Sequence, residues 1–211
     1  VQTCALPIYR REALQFFGAV AFPWGLGLCA NPAHAGAQVE EPLSAAVRTA
    51  LSAAVADEAP PKPTFDKDDE RHEHERWLQR MSARLTRVKS ETQTREEFLQ
   101  TVWYESRRAA LDTSLVLGLI QVESGFRKYA ISSAGARGYM QVMPFWARLI
   151  GDGEASRLFH MQTNLRFGCT ILRHYLGLEQ GNMFMALGRY NGSRGRAEYP
   201  DRVMQARRDW V

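Results

Sequence analysis

Between residues 70 and 89, apolar side chains recur at Trp77, Met81, Leu85 and Val88, at steps of four, four and three inside a strongly charged segment. At 3.6 residues per turn these positions form one stripe of a helix, leaving the charges on its other faces. A second amphipathic helix is predicted from Thr94, where Thr94-Arg95-Glu96-Glu97 reads as a capping box. In such a box a hydroxyl and a carboxylate satisfy backbone N–H groups that the first turn leaves open. Phe98, Val102, Glu105 and Ala109 then fall roughly one above another.

The pattern changes after Leu111 and Asp112. Asp112 is a natural N-cap, and the run Leu115, Val116, Leu117, Leu119, Ile120, Val122 is apolar on nearly every side. A helix without a solvent face is predicted to be buried, and Gly118 lets another element approach it closely. A Ser- and Gly-rich stretch over 124–138 follows, and further helices are predicted over 144–150, 163–178, 182–190 and 196–210. No period of 20 to 50 residues repeats, which excludes a solenoid. The expected fold class is mainly α: a helical main domain with a short irregular or β-hairpin insert after Ser124, preceded by two extra helices.

The N-terminal third reads differently. Arg10 and Arg11, the apolar run from Ala13 to Cys29 and the small-x-small sequence Ala33-His34-Ala35 have the order of an export signal, with a mature start near Gly36. Pro23, Gly18, Gly25 and Gly27 make a buried helix a poorer reading of the same run. The paired arginines fit either the general or the twin-arginine route, whereas Leu28 before Cys29 disfavours a lipid anchor. The segment is too short and interrupted for a membrane span. Residues 1–8 have no role in this scheme. Residues 36–69, rich in Ala, Pro and acidic side chains, are expected to be a flexible spacer. The domain expectation is therefore 1–35 signal, 36–69 spacer, 70–110 helical extension and 111–211 main helical domain, the one that carries the candidate chemistry below.

Composition adds limits rather than an activity. A chain of 211 residues with 45% hydrophobic side chains can bury one sizeable core, and a net charge of +4 from 27 basic and 23 acidic residues signals no nucleic-acid partner. Cys4, Cys29 and Cys169 form no CxxC pair, and no Cys/His cluster has zinc-ligand spacing, so neither a metal nor another cofactor is expected.

The candidate chemistry centres on Glu123, a carboxylate at the C-terminal end of the most apolar helix, followed at once by Ser124-Gly125-Phe126. Burial and the negative end of the helix dipole both raise a carboxyl pKa, and a carboxyl that keeps its proton near neutral pH can act as a general acid. Position alone equally allows a Glu that turns outward to solvent. Glu105-Ser106 offers a similar pair, but on an amphipathic helix ahead of Arg107 and Arg108, and reads as a surface or structural carboxylate.

Three ordered blocks separate these readings: Gln121-Val122-Glu123-Ser124-Gly125-Phe126, the run from Ser132 to Pro144 that contains Gly138-Tyr139-Met140-Gln141-Val142-Met143-Pro144, and Gly188-Arg189-Tyr190-Asn191-Gly192. Together they resemble the catalytic domain of the soluble-type lytic transglycosylases over roughly residues 111–199. The departures are Tyr139, where that family usually has Leu, and the larger side chains of the third block. The resemblance implies a lysozyme-like fold acting on peptidoglycan glycan strands between N-acetylmuramic acid and N-acetylglucosamine. Glu123 would be the lone acid and then base, with a 1,6-anhydro ring as product. It further implies that Gln141 and Met143 line the cleft, that Ser132 contacts the sugar beside the acid and that Tyr190 places its hydroxyl near Glu123. Tyr190 and Met143 equally suit core packing, Ser132 suits a turn, and Asn191-Gly192 reads first as a turn and second as a substrate contact. Arg137, Arg148 and Arg189 are candidates to meet stem-peptide carboxylates. A hydrolytic goose-type muramidase and a non-catalytic wall-binding module are the competing readings, and a periplasmic location follows from the export signal.

Overall fold

The computed structural model describes residues 38–56, 65 and 67–211. The expected export signal lies outside the described residues, as do residues 36–37, 57–64 and 66 of the expected spacer. Among the described residues there are eight α-helices and no strand, in line with the mainly α expectation.

The first helix, α1 (Ala45–Ala56), corrects the expectation of a spacer without structure of its own. Its sequence is alanine-rich, which favours helix locally. Leu43, Val47, Leu51 and Val55 also recur every fourth residue and pack against the core, Leu51 fully, where α1 meets α5 and α6. A composition reading sees the alanines and misses this stripe.

The predicted helical extension forms as α2 (Asp68–Leu85) and α3 (Thr92–Arg108), packed on each other. The start of α3 lies two residues before the predicted capping box, because Glu91 is the N-cap and its carboxylate accepts from the Gln93 and Thr94 N–H groups. Thr94 thus receives its cap from upstream instead of supplying one. Met81, Leu85, Phe98, Leu99 and Val102 are buried between the two helices and the rest of the core.

At the centre lies α4 (Thr113–Ser124), capped as predicted by the Asp112 carboxylate accepting from the Leu115 N–H at 2.8 Å. Leu115 to Ile120 are all buried, each large side chain contributing about 1.5–3 kcal/mol relative to exposure. Gly118 permits the close approach the sequence suggested: a Cβ there would lie 2.6 Å from the backbone nitrogen of Arg207. Arg207 ends α8 (Glu198–Arg207), which lies along α4 and continues into a 3₁₀ turn, Arg208–Trp210.

Between them in sequence come α5 (Pro144–Ile150), a 3₁₀ turn (Ala155–Phe159), α6 (Met161–Leu178) and α7 (Met183–Asn191). Glu105 is buried, not on the surface, and pairs with Arg166 of α6 at 2.9 Å, with side-chain exposures of 1% and 3%. A buried pair of this kind joins α3 to α6 through Oε1, while Oε2 faces Arg108 at 3.5 Å.

The insert after α4 is a folded loop held by isolated antiparallel bridges, Ile131 with Arg137 and Arg137 with Val142. Asn164 of α6 organises it from beneath: its Nδ2 donates to the carbonyls of Arg137 and Leu158, and its Oδ1 accepts from the Met140 N–H, each at 2.8 Å. Gly138, at φ 75°, must be glycine for this contact, since a Cβ would stand 2.4 Å from Nδ2 of Asn164. Tyr139, the departure noted above, is buried against Phe98, and its hydroxyl accepts from Nζ of Lys89 at 2.7 Å. The larger residue therefore ties the insert to the α2–α3 connection.

Candidate active site

Glu123 occupies the last turn of α4, where the chain leaves the helix through two left-handed residues, Gly125 (φ 55°) and Phe126 (φ 64°). Phe126 is pulled inward, its ring packing edge-on against Phe98 and Trp210. Such a conformation costs a non-glycine residue energy, which the burial of an aromatic ring offsets. Ser124 donates its hydroxyl back to the Ile120 carbonyl and is satisfied inside the helix.

The Glu123 carboxyl is only 6% exposed. Oε1 accepts a hydrogen bond from the hydroxyl of Tyr199 in the first turn of α8, while Oε2 is buried with no protein partner. Burial pushes the pKa from 4.5 up to about 8, opposed by the Tyr199 hydrogen bond and by the positive charge of Arg202. No carboxylate is among the groups acting on it. The arrangement is that of a single carboxylic acid, protonated at neutral pH, with one oxygen oriented and the other bare.

The hydroxyl that hydrogen-bonds Glu123 belongs to Tyr199, while that of Tyr190 is near enough to feel the Glu123 charge. Tyr190 is buried and donates to the carbonyl of Met140 at 2.8 Å, joining α7 to the insert. Burial holds its own pKa well above the ordinary value, with the Glu123 charge as the next cause, so the two side chains share one electrostatic environment. Sequence reasoning missed Tyr199 for a physical reason. Tyr199, Val203, Ala206 and Trp210 form the buried stripe of the last helix and its final turn, and Tyr199 reads there as ordinary packing.

The other expected site residues are distributed around this centre. Gln141 is buried at φ 48°, and its Nε2 donates to the carbonyls of Ala130 and Gly138 at 3.1 and 2.9 Å. Its amide N–H groups thus clamp the insert. Ser132 accepts from the Ala136 N–H and donates its own N–H to the Ala136 carbonyl, both at 3.1 Å, closing the tip of the same loop. Met143 is the half-buried N-cap residue of α5 and packs against the core. Asn191 ends α7 before the left-handed Gly192; its Nδ2 donates to Ser193, and its Oδ1 is buried without a partner.

The three arginines proposed for stem carboxylates all have internal company. Arg148 pairs with Glu40, Arg189 with Glu41 and Glu179, and Arg137 lies 5.5 Å over the ring of Phe159. Among the described residues no group of three His, Cys, Asp or Glu side chains is placed to hold a metal.

Fold and site together define a mainly helical, lysozyme-like domain built around one buried acid. Residues 101–210 match the family described as the transglycosylase SLT domain, and the chain belongs to that family. Among curated proteins, the membrane-bound lytic murein transglycosylase C of Mannheimia succiniciproducens is 42% identical over 84 residues, 36% of this chain and 24% of that protein. The protein of the same description from Glaesserella parasuis is 39% identical over 87 residues, with the same coverage. The match therefore spans about a quarter of these relatives' length. An inactive variant of the lytic transglycosylase Slt from Pseudomonas aeruginosa superposes with a TM-score of 0.42 at 24% identity, covering 52% of this chain and 21% of that one.

Proposed function

We propose that the chain cleaves the β-1,4 bond between N-acetylmuramic acid and N-acetylglucosamine in peptidoglycan without water, leaving 1,6-anhydro-muramoyl ends. The observation that carries this reading is Glu123: a lone, buried acid, protonated up to about pH 8, with a bare Oε2. Paired-carboxylate glycosidases divide the work between an acid and a nucleophile or base. Here one group must do both.

Protonated Glu123 gives its proton to the glycosidic oxygen as the bond to the muramoyl C1 breaks, and the oxygen of the neighbouring 2-acetamido group closes on C1. The resulting Glu123 carboxylate then takes the proton of the C6 hydroxyl, whose oxygen displaces the acetamido oxygen from C1 and forms the anhydro ring. The acid regains its proton and no water enters. Tyr199 holds Oε1 throughout and stabilises the carboxylate between the two transfers.

Within the same reading, Met143 and Asn191 border the glycan and Tyr190 braces the site through Met140. Ser132 and Gln141 shape the cleft by fixing the loop that carries it. Residues 1–35 act as an export signal, so the protein works in the periplasm; among the described residues no helix is long and apolar enough to cross a membrane. Mass spectrometry of digested sacculi is the test of the chemistry. The expected products carry ends one water lighter than reducing ends. Reducing ends alone would assign the domain to hydrolytic muramidases, and undiminished digestion by Glu123→Gln would remove Glu123 from the mechanism.

A further inference from the structure

A second cavity lies away from Glu123, where the helical extension meets the N-terminal end of α4. It has a volume of about 1020 Å³ and is lined by α2, α3, the start of α4 and Trp210, at the upper end of the size range of small-molecule sites. Its wall holds an aromatic cluster. The ring of His74 stacks 5.8 Å from Trp77 and meets Trp103 edge-on at 4.5 Å, and the Arg107 guanidinium lies 5.0 Å over Trp103.

Packing accounts for only part of this cluster: Trp77 rests on the hydrophobic core, and the ring of Phe65 lies 5.2 Å from His74 and 5.8 Å from Trp103. Trp103 is half-buried yet stands outside the hydrophobic core that holds Phe98, Leu99 and Val102 of the same helix. His74 is 8% exposed, lines the cavity and has a buried Nδ1 with no hydrogen-bond partner. A buried polar atom left bare is costly, about 1–3 kcal/mol, unless something supplies its partner.

The lining also indicates what kind of molecule would supply it. Three arginines, Arg76, Arg80 and Arg107, are matched by three carboxylates, Glu70, Glu73 and Asp112, so an ionic ligand of either sign gains little. The hydroxyls of Thr113 and Ser114 add neutral polar groups. Flat rings beside a charge-balanced polar wall suit a pyranose, whose C–H face lies on an aromatic ring while its hydroxyl and acetamido groups take hydrogen bonds. The cavity and Glu123 are at opposite ends of α4, roughly 16 Å apart along the helix axis. Trp210 connects them: it lines the cavity, packs on Phe126 and donates from Nε1 to Gln121.

We propose that the Trp77–His74–Trp103 wall is a second saccharide-binding site, which holds N-acetylated sugars of a glycan strand at a distance from the bond being cut. The identity of the sugar polymer rests on the transglycosylase reading. A strand held at two places dissociates more slowly than one held at one, so the site acts on polymer and not on short fragments.

The test uses the full chain carrying Glu123→Gln, so that bound polymer is not consumed, and measures co-sedimentation with purified murein sacculi. Adding Trp103→Ala should weaken retention roughly three- to tenfold, the range expected for loss of one aromatic contact, and Trp103→Phe should recover most of it. Arg107→Gln, at an exposed position outside the hydrophobic core, should weaken retention in the same direction. With Glu123 intact, Trp103→Ala and Arg107→Gln should slow digestion of sacculi while leaving cleavage of a muramoyl tetrasaccharide unchanged. Unaltered retention in Arg107→Gln and Trp103→Ala overturns the proposal, as does an equal loss on tetrasaccharide and sacculi. These outcomes are separable from failure of the chemistry. If Glu123→Gln still digests sacculi, the mechanism falls, while the comparison of sacculus digestion with tetrasaccharide cleavage among the variants that keep Glu123 still decides this site.

Discussion

Replacing Glu123 by Gln should stabilise the protein, and by an amount that depends on pH. Burial keeps the carboxyl protonated up to about pH 8, against 4.5 for the free group. Between those values the unfolded chain has released the proton while the folded chain retains it. Stability therefore falls as pH rises, by about 1.4 kcal/mol per pH unit in that window. The contribution is fully present below 4.5 and fully lost above about 8. Relative to a neutral amide, the acid costs roughly 1 kcal/mol at pH 5 and roughly 3 kcal/mol at pH 7.

Gln at this position keeps an oxygen to accept from Tyr199 but places an amide where Oε2 stands bare. Whatever that substitution costs sterically or in hydrogen bonding is the same at every pH. The diagnostic quantity is thus the growth in the variant's advantage between pH 5 and pH 7, roughly 2–3 kcal/mol, or about 4–12 °C in unfolding temperature for a chain of this size. Thermal unfolding of both proteins, followed by circular dichroism at pH 5, 6, 7 and 8.5, measures it directly. A gap between the two melting temperatures that stays constant over this range would refute the buried-acid account, whatever the variant's activity.

Two further substitutions probe the same centre from α8. Tyr199→Phe removes a bond that favours the charged form of Glu123, so the pKa should rise further and the high-pH fall of kcat/KM should move upward from about pH 8. The step that needs the carboxylate should slow roughly 10- to 100-fold, for a hydrogen bond to a charged group worth about 1.5–3 kcal/mol; a pH–rate profile identical to the parent's would sink this assignment. Gly118→Ala places a methyl 2.6 Å from the backbone nitrogen of Arg207. It should push α8 from α4 at a cost of about 1–3 kcal/mol, read as a lower unfolding temperature together with lower activity, because Tyr199 travels with α8. An unfolding temperature equal to the parent's would show that the α4–α8 contact is looser than described.

What the sequence revealed and what it concealed follow from one distinction. α4 was legible because an apolar run on every face has a single comfortable place, the interior, and Asp112 and Gly118 mark its start and its close neighbour. Glu123 was legible as a candidate because a carboxylate at the end of such a helix conflicts with its surroundings. Tyr199 conflicts with nothing: an aromatic on a buried stripe satisfies every local rule, and only the tertiary approach of α8 gives its hydroxyl a purpose. Gln141 was placed at the cleft by its motif alone, and the part its Nε2 plays in holding the insert, through the carbonyls of Ala130 and Gly138, has no local signal because those partners meet it only in the folded loop. α1 was hidden by composition, its four-residue stripe diluted by alanines that read as spacer.

The pKa of Glu123 is accordingly a property of helix packing and not of the residue. α4 supplies the carboxyl and removes it from water; α8 supplies Tyr199 and Arg202, which pull the value back toward neutrality. Were α8 absent, desolvation alone would hold the proton too tightly to be given up and taken back in one cycle. Were α4 more exposed, the proton would be lost before the sugar arrived. Keeping the acid buried costs roughly 3 kcal/mol at neutral pH, a large share of the 5–15 kcal/mol by which domains are stable. The close α4–α8 contact at Gly118 thus has two tasks that cannot be separated: it stabilises the helix that carries an unfavourable group, and it sets the distance at which that group is tuned.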